Sequence, residues 1–302
     1  MSAASLDNLL TSALTIQRDA YRKDPFPDSQ TRRDHLRSLE RALLSAQDDL
    51  ATALNRDFGG RCKEEVLFSE VFVSLHAIRH AHKNVKSWMA ERPRKLDWPL
   101  QPARAWVIPQ PLGVVGIMAS WNYPIFVSMA PLACALAAGN RVMLKLSEYA
   151  PDTAERIAQL IARTFHPKHV TVITGDAAIG QAFSSLPFDH LLFTGSTAVG
   201  RQVMRAASAN LTPVTLELGG KSPVIVGPDA DLDSAGADIA YGKFLNAGQT
   251  CIAPDYVLVP RASMDAFASA ITRRIDAYWP DPARNPAYTS IINDRHHKRL
   301  SG

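Results

Sequence analysis

The chain has 302 residues, of which 46% are hydrophobic and 21% charged, and its formal net charge is +4. These proportions suit a globular protein of one large or two smaller domains. The dispersed basic residues exclude a nucleic-acid footprint. Cys62, Cys134 and Cys251 lack pairing or metal-ligand spacing, which points to a reducing, cytoplasmic setting. The start of the chain has no basic-then-apolar leader. The most apolar run, Pro131 to Gly139, falls far short of the about 20 residues of a membrane span.

Taken in order, Leu6, Leu9, Leu10, Leu14 and Ile16 predict a first helix from Ser5 to about Lys23. Pro25-Phe26-Pro27 ends it. Thr31 can cap a second helix, which carries Leu36, Leu39, Leu43, Leu44, Leu50 and Leu54 and stops before Gly59-Gly60. A third runs from about Lys63 to Met89. It holds His76, His80 and His82, which lack an accompanying carboxylate motif and read as surface or core histidines rather than a metal site. The proline-rich stretch Pro93 to Pro111 contains the alternating Ala105-Trp106-Val107-Ile108 and reads as a β-hairpin arm.

From Leu112 short aliphatic runs alternate with amphipathic segments. Strands are predicted at Val114–Met118, Val142–Leu146, Val170–Thr174 and His190–Phe193. Helices are predicted at Ile125–Ala138, Thr153–Phe165, Ala177–Ser185 and Ala198–Ala209. Strand, helix, strand, helix is the pattern of an α/β protein with a covered parallel sheet. Pro213–Leu216 and Val224–Val226 add strand-like runs, and Leu232–Phe244 reads as a helix.

Several turns carry chemistry. Glu217 is followed by Gly219-Gly220, and Asn246-Ala247-Gly248-Gln249-Thr250 leads to Cys251. A thiolate that attacks an electrophile and a carboxylate that takes a proton are the parts of covalent catalysis. A lone cysteine is more often a small buried hydrophobe, and Gly-Gly after a strand is more often a plain turn. Phe193-Thr194-Gly195-Ser196-Thr197-Ala198-Val199-Gly200 joins a strand to a helix, where free N–H groups favour phosphate, though it is not the G-x-G-x-x-G fingerprint. Lys145-Leu146-Ser147-Glu148 ends another strand, with a carboxylate suited to ribose hydroxyls. Read blandly, it is a helix start with a snorkelling lysine. Ser120-Trp121-Asn122-Tyr123-Pro124 places an amide donor where an oxyanion can form, and the same residues make an ordinary turn.

In this order the five motifs resemble the aldehyde dehydrogenase superfamily, over essentially the whole chain. The long helical start resembles its class 3 branch and, within it, bacterial enzymes of the coniferyl aldehyde dehydrogenase type. The resemblance implies a Rossmann-type NAD(P)-binding domain from 1–101 and 112–217, a hairpin oligomerisation arm at 102–111, and the first part of an α/β catalytic domain at 218–302. It implies that Cys251 is the nucleophile, that Glu217 activates the hydrolytic water, and that Asn122 with the Cys251 N–H forms the oxyanion hole. Trp121, Lys145, Glu148, Gly195, Ser196, Gly200, Leu218 and Gly219 then hold NAD or NADP. The expected reaction oxidises an aromatic, coniferyl-like aldehyde to its acid through a cysteine thiohemiacetal and thioester. A homodimer is expected of the full-length protein.

Two further readings compete. Acyl transfer to coenzyme A uses the same thioester, but that branch typically lacks the glutamate found here at 217. Relatives also carry a Glu-Ile-Phe-Gly-Pro-type motif and a last pairing strand beyond the point reached at Ser301-Gly302. The catalytic domain is therefore expected to be cut short. The alternative is an inactive fragment that serves as a cofactor-binding or structural protein.

Overall fold

The computed structural model describes residues 3–302. Helices α1 (Ala3–Lys23) and α2 (Ser29–Phe58) come first. The oxygen that caps α2 comes from Asp28, which accepts the Thr31 N–H at 2.7 Å. The helix begins at Ser29, so the expected cap Thr31 lies inside its first turn. The third helix is continuous but not uniform. A short α3 (Lys63–Val66) passes through a π-helical turn, Leu67–Phe72, into α4 (Val73–Trp88). The wider turn carries Glu70, which is fully buried.

The hairpin pairs β1 (Arg92–Arg94) with β2 (Ala105–Val107), Arg92 opposite Val107. The first strand lies at the start of the Pro93–Pro111 stretch read as a hairpin arm, and the second falls in its 102–111 part.

The central sheet is built by β3 (Val114–Met118), α5 (Phe126–Ala137), β4 (Arg141–Lys145), α6 (Pro151–Thr164), β5 (Val170–Ile173), α7 (Ala177–Ser184), β6 (His190–Gly195), α8 (Thr197–Ser208) and β7 (Val214–Leu218). The five strands are parallel in the order β5-β4-β3-β6-β7. Side chains alternate between the two faces, as strand geometry requires. Val115, Ile117, Val142 and Leu144 pack in one cluster with α2, α4, α5 and α6. Val114, Met118, Met143 and Phe193 pack in the other with Leu10 and Leu14 of α1, Phe183 of α7 and Val203 of α8. Leu36, Leu39, Leu43, Leu50 and Leu54 are each fully buried, which contributes about 1.5–3 kcal/mol per side chain.

The chain winds outward from β3 to β5 with α5 and α6 on the first face. It then returns to β6 beside β3 with α7 and α8 on the second. The connections after β3 and β6 therefore diverge to opposite faces. Such a switch point, at the carboxyl ends of parallel strands, opens a crevice.

Beyond β7 a smaller unit follows. Strand β8 (Ser222–Ile225), helix α9 (Leu232–Phe244) and strand β9 (Pro254–Leu258) form a parallel βαβ unit against α10 (Met264–Tyr278). Its buried core comprises Val226, Ile239 and Phe267. Helix α11 (Asp294–Ser301) completes the described chain.

Candidate active site

The expected site residues follow strands that end at one edge of the sheet. Asn122 follows β3, and Lys145 ends β4 opposite Met118. Gly195 ends β6 opposite Leu218 of β7. Leu216 and Leu218 pack against the second core cluster. Alternation then turns Glu217 to the opposite face, where it is exposed.

Cys251 is brought to this edge by two devices. The parallel pairing of β8 and β9 starts at Ser222 and Pro254, so the segments that precede both strands meet at one end. Gly220 then passes close to the cysteine. A Cβ on Gly220 would lie 2.8 Å from the Cys251 carbonyl oxygen, so only glycine permits this approach. Cys251 is an exposed, free thiol.

The turn that presents the thiol has three successive residues with left-handed backbone: Asn246 (φ 52°), Ala247 (φ 51°) and Gly248 (φ 74°). Two of them are not glycine, and such strain persists only where surrounding contacts hold it. Those contacts are extensive. The Asn246 side-chain amide donates to the Asn122 carbonyl at 2.9 Å. Gln249 donates to the Ser290 carbonyl at 3.0 Å and accepts the Ile292 N–H at 3.0 Å. Tyr123 O–H and Thr250 Oγ1 lie 2.6 Å apart.

Asn122 is the link between the first sheet and this turn. Its Nδ2 donates to the Gln249 carbonyl at 2.9 Å, and its Oδ1 accepts from Ser120 Oγ at 2.7 Å. The network fixes the amide orientation and leaves its second N–H for another acceptor. The Cys251 N–H makes no hydrogen bond among the described residues.

After β6, Ser196 caps α8 by accepting the Val199 N–H at 3.3 Å, and Ser196 to Val199 are exposed. Gly200 is buried one turn later. A Cβ there would sit 2.8 Å from Leu218 Cδ2, so this glycine serves the packing of α8 on β7. Gly219 is open, with nothing near its Cβ direction. Lys145 is nearly fully buried. Its Nζ donates to the carbonyls of Leu146 (2.7 Å) and Gly175 (2.8 Å) and lies 3.5 Å from Glu148 Oε2. An ammonium has three donors, and these oxygens engage all three. Burial lowers the lysine pKa, while Glu148 opposes the shift. Glu148, beside it, is exposed. Trp121 is half-buried, 4.7 Å from the His296 ring and 6.2 Å from Phe58.

The motifs of the sequence did not disclose the polar cluster beneath Asn122. Arg61 is fully buried and contacts Glu65 (3.0 Å), Glu70 (2.8 Å), Ser69 (3.2 Å) and the Asn122 carbonyl (3.1 Å). Burial pushes the Glu70 carboxyl up to about 6, against the pull of Arg61 and of two backbone N–H groups. Arg61 and Glu65 are four apart, and Glu70 follows on the same helix. That acid–base spacing after Gly59-Gly60 was the available signal.

His80 packs on Trp88, and Arg33 Nε lies 3.3 Å from His82 Nε2. Among the described residues no group of three His, Cys, Asp or Glu could hold a metal ion, and no helix is long and apolar enough to cross a membrane.

The "Probable coniferyl aldehyde dehydrogenase" of Pseudomonas aeruginosa is 50% identical over 98% of this chain and 62% of its own length. The "Coniferyl aldehyde dehydrogenase" of a Pseudomonas species is 44% identical over 96% and 60%. The chain thus spans about three-fifths of the length of these curated relatives. Among solved structures, the substrate-bound state of Staphylococcus aureus AldH superposes with a TM-score of 0.92 at 36% identity, covering 96% of this chain and 64% of that one. The NAD+ complex of Mycobacterium tuberculosis aldehyde dehydrogenase gives 0.88 at 29% identity, covering 98% and 62%. A sequence model of the aldehyde dehydrogenase family matches residues 2–302, and the chain belongs to that family.

Proposed function

We propose that the protein oxidises an aldehyde to the carboxylic acid, with NAD or NADP as hydride acceptor. The observation that carries this reading is the hydrogen bond from the Asn122 amide to Gln249. It ties an oxyanion donor to the turn that presents Cys251. The Cys251 thiolate attacks the carbonyl carbon, and the oxygen takes the negative charge as the C–S bond forms. The free N–H of Asn122 and the Cys251 backbone N–H face that oxygen and stabilise the charge. Once the acyl group is a thioester, Glu217 takes a proton from water. The water oxygen attacks the acyl carbon, and the thiolate leaves.

The crevice at the switch point between β3 and β6 fits a dinucleotide, with diverging connections and an exposed, capped helix start at Ser196. We assign Glu148 to the adenosine ribose, and Ser196 with the first turn of α8 to the pyrophosphate. Lys145, its donors already engaged, orients Glu148. Trp121, Gly195, Leu218 and Gly219 line the path toward Cys251, with Gly200 behind them. Bound NAD or NADP supplies the acceptor for the hydride of the substrate carbon. The names of the Pseudomonas relatives support an aromatic, coniferyl-like aldehyde. The three free thiols support a cytoplasmic location. The exposed Trp98, Trp106 and Ile108 of the hairpin arm support a homodimer. We divide the chain into a nucleotide-binding part through residue 217 with the arm as an excursion, and a catalytic part from 218.

One observation favours a second reading, cofactor binding without turnover. Both Cys251 and Glu217 are exposed in this chain, whereas covalent chemistry of this kind gains from excluded water. The test is reduced-cofactor formation by the purified 302-residue chain with benzaldehyde-type, cinnamaldehyde-type and aliphatic aldehydes. Turnover that disappears in Cys251→Ser supports the oxidation. Absence of turnover, with nicotinamide cofactor still protecting Cys251 from alkylation, supports the second reading.

A further inference from the structure

We propose that Arg61 is the positioning residue of this site, locking the oxyanion loop and the cysteine turn together through a closed ring of partly buried hydrogen bonds. The role in turnover rests on the function proposed above; the coupling itself does not.

A guanidinium removed from water is costly unless every face is satisfied. Around Arg61 the faces are satisfied. Its rim contacts Glu65, Glu70, Ser69 and the Asn122 carbonyl. Its flat sides lie 5.0 Å from the Phe58 ring and 4.9 Å from the Tyr123 ring. The acceptors lead to both halves of the site. The second oxygen of Glu70 accepts the N–H groups of Ile125 (2.7 Å) and Phe126 (3.2 Å), which fixes the start of α5 just after Asn122. The second oxygen of Glu65 accepts the Asn246 N–H at 3.3 Å, inside the left-handed turn. Asn246 returns to the Asn122 carbonyl, where Arg61 also donates. The ring therefore runs Arg61, Glu65, Asn246, Asn122 and back to Arg61. It crosses segments 61, 122 and 246, which are far apart in sequence and meet through these side chains. The Asn122 carbonyl is fixed by two donors below while its amide addresses Gln249 above. Moving Arg61 shifts the amide and the thiol relative to each other.

Lysine preserves the charge of Arg61 but lacks the planar fork that reaches several acceptors at once. The test compares the 302-residue chain with Arg61→Lys and Glu65→Gln by amide hydrogen exchange resolved to peptides. The expected result is exchange about tenfold faster in residues 119–126 and 245–252 together, the size set by the loss of a charge-assisted hydrogen bond. Strands β3, β4 and β6 keep their protection. If Arg61→Lys does not fold, Glu65→Gln is the deciding variant, because it weakens the ring at Glu65, between Arg61 and Asn246, and leaves the bonds from Arg61 to Glu70, Ser69 and the Asn122 carbonyl. Faster exchange in both segments supports the ring, and faster exchange confined to 245–252 overturns it. Unchanged exchange, or faster exchange spread evenly over the sheet, reduces Arg61 to a packing group. If the wild-type chain turns over, Arg61→Lys lowers kcat about tenfold and leaves the aldehyde KM in place. An inactive wild type would count against the proposed function and leave the exchange result as the measure of the coupling.

Discussion

Single backbone approaches carry much of this site. Gly220 faces the Cys251 carbonyl oxygen at a distance that a Cβ would reduce to 2.8 Å. The neighbour is backbone, so no rotamer change relieves the clash, and the cysteine turn itself must move. Gly220→Ala is expected to lower stability by about 1–3 kcal/mol through overpacking and to change the alkylation rate of Cys251 relative to Cys134. Urea unfolding and peptide mass spectrometry after brief iodoacetamide treatment measure both. An unaltered midpoint with an unaltered Cys251:Cys134 ratio would refute the close approach. Gly200 is also spatially constrained, but its neighbours are the Leu218 and Phe193 side chains. The two glycines look equivalent in the sequence and differ in what stands against them.

Helix and strand junctions set a second property, the response to acid. His169 precedes β5, its ring 4.1 Å from His35 of α2 and 5.8 Å from Phe165. Burial, reinforced by His35 and Arg141, lowers its pKa from 6.5 to about 3. His35 is shifted the same way, chiefly by burial. The unfolded chain then binds protons near pH 6.5 that the folded chain refuses. Stability from His169 is complete above pH 6.5 and is lost as pH falls toward 3, by about 1.4 kcal/mol per pH unit once below 6. Glu70 acts in the opposite sense. Its raised pKa of about 6 makes the folded chain bind a proton more tightly between that value and 4.5. The informative quantity is therefore the difference between wild type and His169→Leu. Between pH 7 and 5.5 the wild type should lose about 1 kcal/mol more than the variant in urea titrations; equal losses would show that His169 titrates freely. Sequence periodicity located these elements closely, and helix α9 agrees with its expected bounds. Local pattern suffices there because one helix or strand writes its own hydrophobic period. It could not reveal the Arg61 ring, whose members at 61, 122 and 246 share no local period, or that Lys145 spends its donors on nearby carbonyls.

Across the whole molecule the two ends of the site stand on supports of unequal strength. Glu217 belongs to the sheet and Asn122 to the loop that follows β3, and the sheet's two faces are covered by large clusters joining helices α1 to α8. Cys251 belongs to the βαβ unit of β8, α9 and β9, whose buried apolar core is Val226, Ile239 and Phe267. Ile225, Tyr256 and Leu258 of that two-stranded sheet are exposed. An isolated two-stranded sheet is marginal in water without packing on a helix, and here α9 and α10 supply that packing. Local opening follows the density of buried apolar contacts. The βαβ unit should therefore open below the free energy at which the main sheet opens. Its polar ties to the sheet side run through the cysteine turn, by the Arg61 ring, the Asn122–Gln249 bond and the Tyr123–Thr250 contact, so opening of the unit should part these bonds and expose that turn. Native-state hydrogen exchange in low urea checks this. Amides of β8, β9 and α9 should exchange through a separate opening, lower in free energy than that of β3, β4 and β6. Exchange of all six elements through one shared opening would mean that the small unit is welded to the sheet. In that case Cys251 and Asn122 are held in register by the fold as a whole, with the ring adding little to their alignment.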